Sequence, residues 1–152
     1  MARLKYTHIA ATLGLVFRDQ ELLLLKRTRP PKIWAPPGGR LLRDEDPIQG
    51  LQREVREECG ITVCILMPLD TWFGQHEGVQ TLGIIFLCRY LDGSTLLSSE
   101  HSDALWLTES KLSRKILDSP SEFFGDLNLY SKAFFLARVL KQRDSTKRPD
   151  HA

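Results

Sequence analysis

With 152 residues, the chain is long enough for one domain with a real core. Its balance of 42% apolar and 26% charged residues is that of an ordinary soluble globular protein, which argues against a disordered or fibrous chain. A net charge of +2 is too small to argue for a nucleic-acid or membrane partner, so any attraction for phosphate must come from local placement of charge.

Residues Met1–Phe17 place Arg3 and Lys5 before the apolar run Ile9–Phe17, an arrangement that superficially resembles a signal peptide. The run is short and leads into Arg18-Asp19-Gln20 without a small-residue cleavage site, so a buried strand Thr7–Phe17 is expected instead. No run is long enough to span a bilayer. After a turn at Arg18–Gln20, Glu21–Arg27 reads as a second strand. Its run Leu22–Leu25 suits a central strand covered on both faces. The polar, proline-rich stretch Thr28–Pro36 is expected to be a loop that cannot pair in a sheet. With Arg27 before it, this loop brings Arg29, Lys32 and Trp34 just ahead of Gly38. Such a loop is equipped to grip a phosphate or stack a base, although cations are common in solvated loops and Trp34 would serve equally as a core anchor.

The next stretch is the one that carries chemistry. Asp46 is a good N-cap, Pro47 suits the first helical position, and Gly60 ends a helix in the left-handed conformation. Ile48, Leu51, Val55 and Cys59 recur at roughly helical spacing and form the expected buried stripe. Residues three and four apart share a helix face, so Glu54, Glu57 and Glu58 project together and repel one another. Arg53 and Arg56 could neutralise them as an ordinary solvated face. A hard divalent cation such as Mg²⁺, which prefers carboxylate, carbonyl and water oxygens, would remove the repulsion as well.

Past the helix, Thr62–Leu66 is predicted as a strand ending before Pro68. Thr71–Phe73 is predicted as a short strand and Gly74–Gly78 as a mobile polar loop. Thr81–Tyr90 reads as a long apolar strand with a turn at Asp92-Gly93, and Ala104–Leu107 as another strand. Thr108 is expected to cap a short helix running to about Leu117, which Ser119-Pro120 breaks. Ser121–Arg143 is expected to be helical, with Phe123, Phe124, Leu127, Tyr130, Phe134, Phe135 and Val139 on its core face. One domain over 1–143 and a frayed tail over 144–152 follow, with no internal repeat. Cys59, Cys64 and Cys88 are odd in number and lack metal-ligand spacing. They read as buried free thiols of a reducing, cytoplasmic compartment.

Taken together, Gly39, Glu45, Arg53-Glu54, Val55, Glu57-Glu58, Gly60 and Ile61 form the pattern G-x5-E-x7-R-E-U-x-E-E-x-G-U, with U aliphatic. Seven fixed residue types at fixed spacing arise by chance on the order of once in a billion start sites. This is the Nudix box, and the chain resembles a Nudix hydrolase at every defining position from Gly39 to Ile61. Two local departures are Asp44, where many members carry Gly, and Gly50, where Ala is more usual. Pattern alone suggests a mixed sheet between helical layers. The resemblance implies an α+β fold, specifically an α/β/α sandwich with the box as loop–helix–loop.

The resemblance also implies roles. Glu57 and Glu58 look like the principal metal ligands, completed by the Gly38 carbonyl. Glu54 looks like a further ligand or the residue that holds or deprotonates the water. Arg53 looks like the partner that orients these glutamates, and Glu45 like the structural glutamate of the loop, with Gly39 and Gly60 shaping its ends. Glu100 is the candidate outside the box for ligand or base, ahead of His101. The cofactor implied is Mg²⁺, with Mn²⁺ as substitute. Clustered carboxylates cannot bind a polyphosphate directly, but they can seat a cation that bridges to phosphate oxygens and acidifies a bound water.

The expected activity is hydrolysis of the pyrophosphate bond in a nucleoside diphosphate linked to another group. The leading substrate is a nucleoside triphosphate or related nucleotide, cut to a nucleoside monophosphate. The alternatives are ADP-ribose or sugar-nucleotide hydrolysis, hydrolysis at an RNA 5′ end, which the modest charge disfavours, and a non-catalytic nucleotide sensor. Arg27, Arg29 and Trp34 are the expected substrate contacts. The partner is a small nucleotide bound by a monomer or homodimer.

Overall fold

Four consecutive leucines decide where the core lies. A computed structural model describes residues 8–146 of the chain. Strand β2 (Glu21–Arg27) holds Leu22 to Leu25 with no exposure at all. Side chains alternate across a strand, so Leu22 and Leu24 face one way and Leu23 and Leu25 the other. The first pair joins Leu112 and Ile116 of α2 (Glu109–Asp118) and Leu129, Tyr130, Ala133 and Phe134 of α3 (Leu127–Thr146). The second pair joins Leu51, Val55 and Cys59 of α1 (Pro47–Cys59). Burying each such leucine contributes about 2 kcal/mol, and two apolar faces require two helical layers. The result is a mixed sheet sandwiched between α1 and the α2–α3 pair, the α/β/α arrangement expected.

Strand β1 (Ile9–Arg18) organises the sheet. It runs parallel to β6 (Val79–Asp92) from Ile9 opposite Thr81 to Phe17 opposite Arg89. Its far end pairs antiparallel with β2, while its near end pairs with the short β4 (Gly38–Arg40), Leu13 opposite Gly38 and Thr12 opposite Gly39. At the fork between these partners, the Gly14 amide donates to the Pro37 carbonyl at 2.8 Å. This fork sets the Pro37–Gly39 turn against the face that carries α1. Strand β7 (His101–Thr108) lies on the outer side of β2, and β5 (Thr62–His76) forms a hairpin with β6.

Several expectations need correction. Within Thr28–Pro36, Trp34–Ala35 does pair in the sheet as β3, Lys26 opposite Trp34 and Leu25 opposite Ala35. The prolines lie on either side of this two-residue pair, so no ladder donor is lost. The predicted strand ending before Pro68, the short strand Thr71–Phe73 and the loop Gly74–Gly78 are instead parts of the single strand β5. Register shifts between Ile65 and Met67 and between Pro68 and Asp70 absorb the proline, which an edge strand tolerates. Only Glu77 and Gly78, both at positive φ, make the turn.

On α1, Ile48 is 44% exposed and leaves the buried stripe to Leu51, Val55 and Cys59. The last helix starts at Leu127 rather than Ser121. A 3₁₀ turn Pro120–Glu122 and Gly125 precede it, and Asp126 accepts from the Leu129 amide at 3.0 Å. Phe135, expected in its core face, is 58% exposed, because Phe134 occupies the inward position. Thr108 precedes α2 without a side-chain capping bond. Cys59 and Cys88 are buried free thiols and Cys64 is half-buried. The segment containing Arg3, Lys5 and Thr7 lies outside the described residues. Among those described, no helix is long and apolar enough to cross a membrane.

Candidate active site

Helix α1 is well anchored at both ends. Asp46 accepts from the amides of Ile48 at 2.9 Å and Gln49 at 3.2 Å, and Gly60 closes the helix at φ 71°. Its last carbonyls are not left bare: Leu96 donates to the Cys59 carbonyl at 3.1 Å and Ser98 to that of Glu58 at 3.0 Å. A rigid helix thus carries the four charged residues of the motif.

Arg53 sits at the middle of three carboxylates. Its Nε and Nη2 grip Glu45 at 2.7 and 2.9 Å, a bidentate pair. Its Nη1 reaches Glu54 at 2.8 Å and Glu57 at 3.1 Å, and Nη2 also donates to the Arg40 carbonyl at 3.3 Å. Glu45 additionally accepts from the Leu42 amide at 2.9 Å, which folds the loop back on itself. The Arg53 guanidinium, with help from that amide, holds the Glu45 carboxyl down to about 2. The same contacts, Glu45 first, raise Arg53 further above its usual range, so it stays a cation.

Glu58 lives in a different environment. It is only 6% exposed, and among the described residues its side chain has one bond, from the Gly38 amide at 2.9 Å. Burial pushes its carboxyl up to about 8. The Gly38 bond opposes this, and the nearby charges of Glu54 and Glu100 add to it. Burial likewise raises Glu54, with Arg53 opposing and Glu57 and Glu100 contributing. Glu100, immediately before β7, is therefore near enough to act electrostatically on Glu54 and Glu58. Arg27, at the end of β2, is the cation that faces Glu58. Among the described residues its guanidinium makes no hydrogen bond or ion pair, and it also faces His76 and His101. Burial lowers both histidines, and the His101 Nδ1 is buried without a hydrogen-bond partner among the described residues.

The glycines explain why the turn approaches so closely. A Cβ on Gly39 would stand 2.6 Å from the Glu54 carboxyl carbon, and Gly38 adopts φ 150° against the backbone of Thr12 and Leu13. Any side chain at Gly39 would displace Glu54. The two departures from the family pattern also have local reasons. Asp44 takes φ 59°, the left-handed conformation that glycine adopts freely and aspartate tolerates. Gly50 leaves room for the Leu41 side chain and the Glu45 carboxylate, which a Cβ would crowd.

The structure thus brings Glu45, Arg53, Glu54 and Glu57 into one bonded cluster, and Glu58, Gly38, Glu100 and Arg27 beside it. It does not bring Arg29, which is exposed in the loop and makes no hydrogen bond or ion pair among the described residues. Trp34 packs against the α2–α3 side of the core, bridges to Phe123 and carries Lys26 Nζ 5.5 Å from its ring centre. Arg40 was not singled out by sequence. Its guanidinium bonds the His76 carbonyl at 3.0 Å and sits 3.5 Å from Glu77, tying the β5–β6 turn to β4. Its place directly after Gly39 was the available signal. Two cavities of about 720 and 770 Å³ lie along the β1–β2 turn and the end of α3, and no carboxylate of the α1 cluster lines either.

Among the described residues, no three His, Cys, Asp or Glu side chains converge as a ready set of ligands for one ion. The bonds explain this: Glu54 and Glu57 are turned to Arg53, and Glu58 to the Gly38 amide. The donor chemistry nevertheless suits a hard cation. The groups are carboxylates, their neighbours' charges help to raise Glu54 and Glu58, and Glu58 is buried without a bonded cation among the described residues.

The fold and this arginine-tied carboxylate helix define a class of pyrophosphohydrolases, and comparison with known proteins agrees. A family model described as NUDIX domain matches residues 7–125. A MutT-like protein of Streptomyces ambofaciens is 32% identical over 111 residues, covering 73% of this chain and 71% of that protein. The crystal structure of a C. elegans Ap4A hydrolase complex superposes with a TM-score of 0.69 at 28% identity, over 85% of this chain and 98% of the other. That of a MutT protein from Methanosarcina mazei Go1 gives 0.65 at 26% identity, over 96% and 100%. The chain belongs to the Nudix hydrolase family. It is a pyrophosphohydrolase of the kind that acts on nucleoside diphosphate derivatives.

Proposed function

We propose that the chain hydrolyses a nucleoside triphosphate or closely related nucleotide to the nucleoside monophosphate. The observation that carries this reading is the buried, cation-poor Glu58 beside Glu54 and Glu100, with the unpaired Arg27 at its edge. Glu57 and Glu58, with the Gly38 carbonyl and Glu54, would hold Mg²⁺, for which Mn²⁺ would substitute. Bound there, the ion supplies charge neutralisation for the diphosphate and acidifies a water.

The remaining steps belong to the chain's own groups. Water attacks one phosphorus and the bridging P–O bond breaks. Glu54 or Glu100 takes the water's proton, and the leaving phosphate departs with the bridging oxygen. Burial raises Glu54, which makes it a stronger base than a solvated glutamate. Arg53 does not touch substrate in this scheme; it fixes the rotamers of Glu54 and Glu57. Glu45 locks Arg53, and Gly39 and Gly60 shape the loop and helix end. Arg27 grips a phosphate oxygen, with Arg29 of the loop before β3 and Trp34 of β3 as the further substrate contacts.

A second reading has its own support. The likeness to the Ap4A hydrolase, which the chain matches over 98% of that protein, favours a dinucleoside polyphosphate. The buried free thiols of Cys59 and Cys88 suit a reducing, cytoplasmic setting for either reaction. A hydrolysis screen with Mg²⁺ decides between them. It should contain (d)NTPs, oxidised dGTP, ADP-ribose, sugar nucleotides, Ap4A and 5′-triphosphate RNA, with products identified by mass. A nucleoside monophosphate from one triphosphate is the expected result. Preferential cleavage of Ap4A would establish the second reading, and binding without turnover would move the chain to a nucleotide sensor.

A further inference from the structure

Glu100 reaches the carboxylate cluster from a loop, yet its backbone is fixed from two sides. On one side the end of α1 holds the approach, through Leu96 and Ser98 on the Cys59 and Glu58 carbonyls. On the other side is Thr28, the first residue after β2. Its amide donates to the Glu100 carbonyl at 2.9 Å. Its hydroxyl lies 2.9 Å from the same oxygen and 3.1 Å from the Ser99 carbonyl. The ladder between β2 and β7 is irregular just here, with a register shift between Lys26 and Arg27. Past this shift backbone pairing resumes, with Arg27 opposite His101 and the Thr28 amide on Glu100, and the Thr28 hydroxyl adds a side-chain bond to the same carbonyl.

We propose that Thr28 is a positioning residue. Its hydroxyl fixes the Ser99–Glu100 backbone so that the Glu100 carboxylate faces Glu54 and Glu58 and can share their cation. The proposal rests on the reading of those carboxylates as the metal seat. The hydroxyl is the part that matters, because a threonine and a valine present the same shape to their neighbours and the same backbone amide. Thr28 also follows Arg27 directly, so a phosphate gripped by Arg27 and the placement of Glu100 share one backbone segment.

The experiment compares Thr28→Val, Thr28→Ser, Glu100→Gln and the Thr28→Val/Glu100→Gln double variant. The probe is Mn²⁺ alone, followed by the loss of the free-ion paramagnetic resonance signal, with amide hydrogen exchange of the 96–104 segment recorded in parallel. Thr28→Val is expected to speed exchange in that segment and to weaken Mn²⁺ binding several-fold. Thr28→Ser is expected to restore both. In the Glu100→Gln background, Thr28→Val should weaken binding no further.

Weakened binding in Glu100→Gln with wild-type binding in Thr28→Val overturns the role of Thr28 and leaves the seat intact. A full additional loss in the double variant also overturns it, since Thr28 would then act elsewhere. Wild-type protein that takes up no Mn²⁺ overturns the seat itself, and the Thr28 proposal with it.

Discussion

Around Arg53, three carboxylates share one guanidinium and bond to it at 2.7 to 3.1 Å. One turn further along the same helix, Glu58 is more deeply buried and has only an amide for a partner. Glu45 and Glu58 move in opposite directions, down to about 2 and up to about 8, while Glu54, bonded to Arg53 but partly buried, is also raised. Both effects come from one short stretch of chain, so local sequence does not explain them. What differs is first the burial of Glu58 and then the bonded cation, which Glu45 has in Arg53. The Arg53 half has each of its carboxylates bonded to a cation and serves as a lock. Among the described residues Glu58 has no bonded cation, only Arg27 acting on it through space, and a site in that condition is where a divalent ion gains most by binding.

The largest effect should come from emptying the deficient half. Glu58→Gln keeps the shape and the bond from the Gly38 amide but removes the charge. We expect turnover to fall on the order of 10³-fold, read from steady-state rates with Mg²⁺. The folded metal-free protein should meanwhile be no less stable than wild type. Full activity would show that Glu58 holds no ion.

Breaking the lock comes next. Arg53→Lys replaces a planar fork bonded to three carboxylates with a point charge that cannot grip Glu45 bidentately. A loss of about 3 kcal/mol in denaturant unfolding is expected, as when a partner is removed from a partly buried ion network. An unchanged midpoint would make the network ornamental.

The pH dependence separates the halves. Glu58 ionises at about 4.5 when unfolded but at about 8 when folded. The unfolded chain therefore releases this proton first, and metal-free stability falls as pH rises between those values, by at most about 1.4 kcal/mol per pH unit. Glu45 has the opposite sign: its contribution is complete above about 4.5 and is lost as pH falls toward about 2. Thermal melts of the metal-free protein should decline from mildly acidic to mildly alkaline pH. Glu58→Gln should flatten that decline, and Mg²⁺ should raise the alkaline melts of the wild type more than those of the variant. Parallel curves for wild type and variant would contradict the shift at Glu58.

The smallest expected effect lies in the loop itself. Asp44 holds φ 59°, and Asp44→Gly should stabilise the protein by about 0.5 kcal/mol by relieving that conformation. A loss of stability would mean that the aspartate side chain contributes a contact outweighing the strain.

Much of this was readable before the fold. The cap at Asp46, the stop at Gly60 and the face shared by Glu54, Glu57 and Glu58 are properties of a single helix, where spacing translates directly into geometry. The buried run Leu22–Leu25 was equally legible, since an unbroken apolar strand needs cover on both sides. The β5 segment was not. Pro68 and Gly74 signal breaks, yet the ladder with β6 carries the strand through both, shifting register around Pro68. Exposure of Ile48 and Phe135 was hidden for a related reason, because periodicity identifies a face but not its width. The roles of Thr28 and Arg40 were invisible, since each bonds to atoms more than thirty residues away.

The sequence by itself determined the family, the α1 helix and the identity of its charged side chains, because these depend on residue types within one continuous stretch. Tertiary structure alone decided which glutamate has a cation, which is buried beside an amide, and which distant residue holds Glu100 in reach. Those properties depend on distance and dielectric between separate elements, and only the fork of β1 and the placement of the 92–100 segment set them.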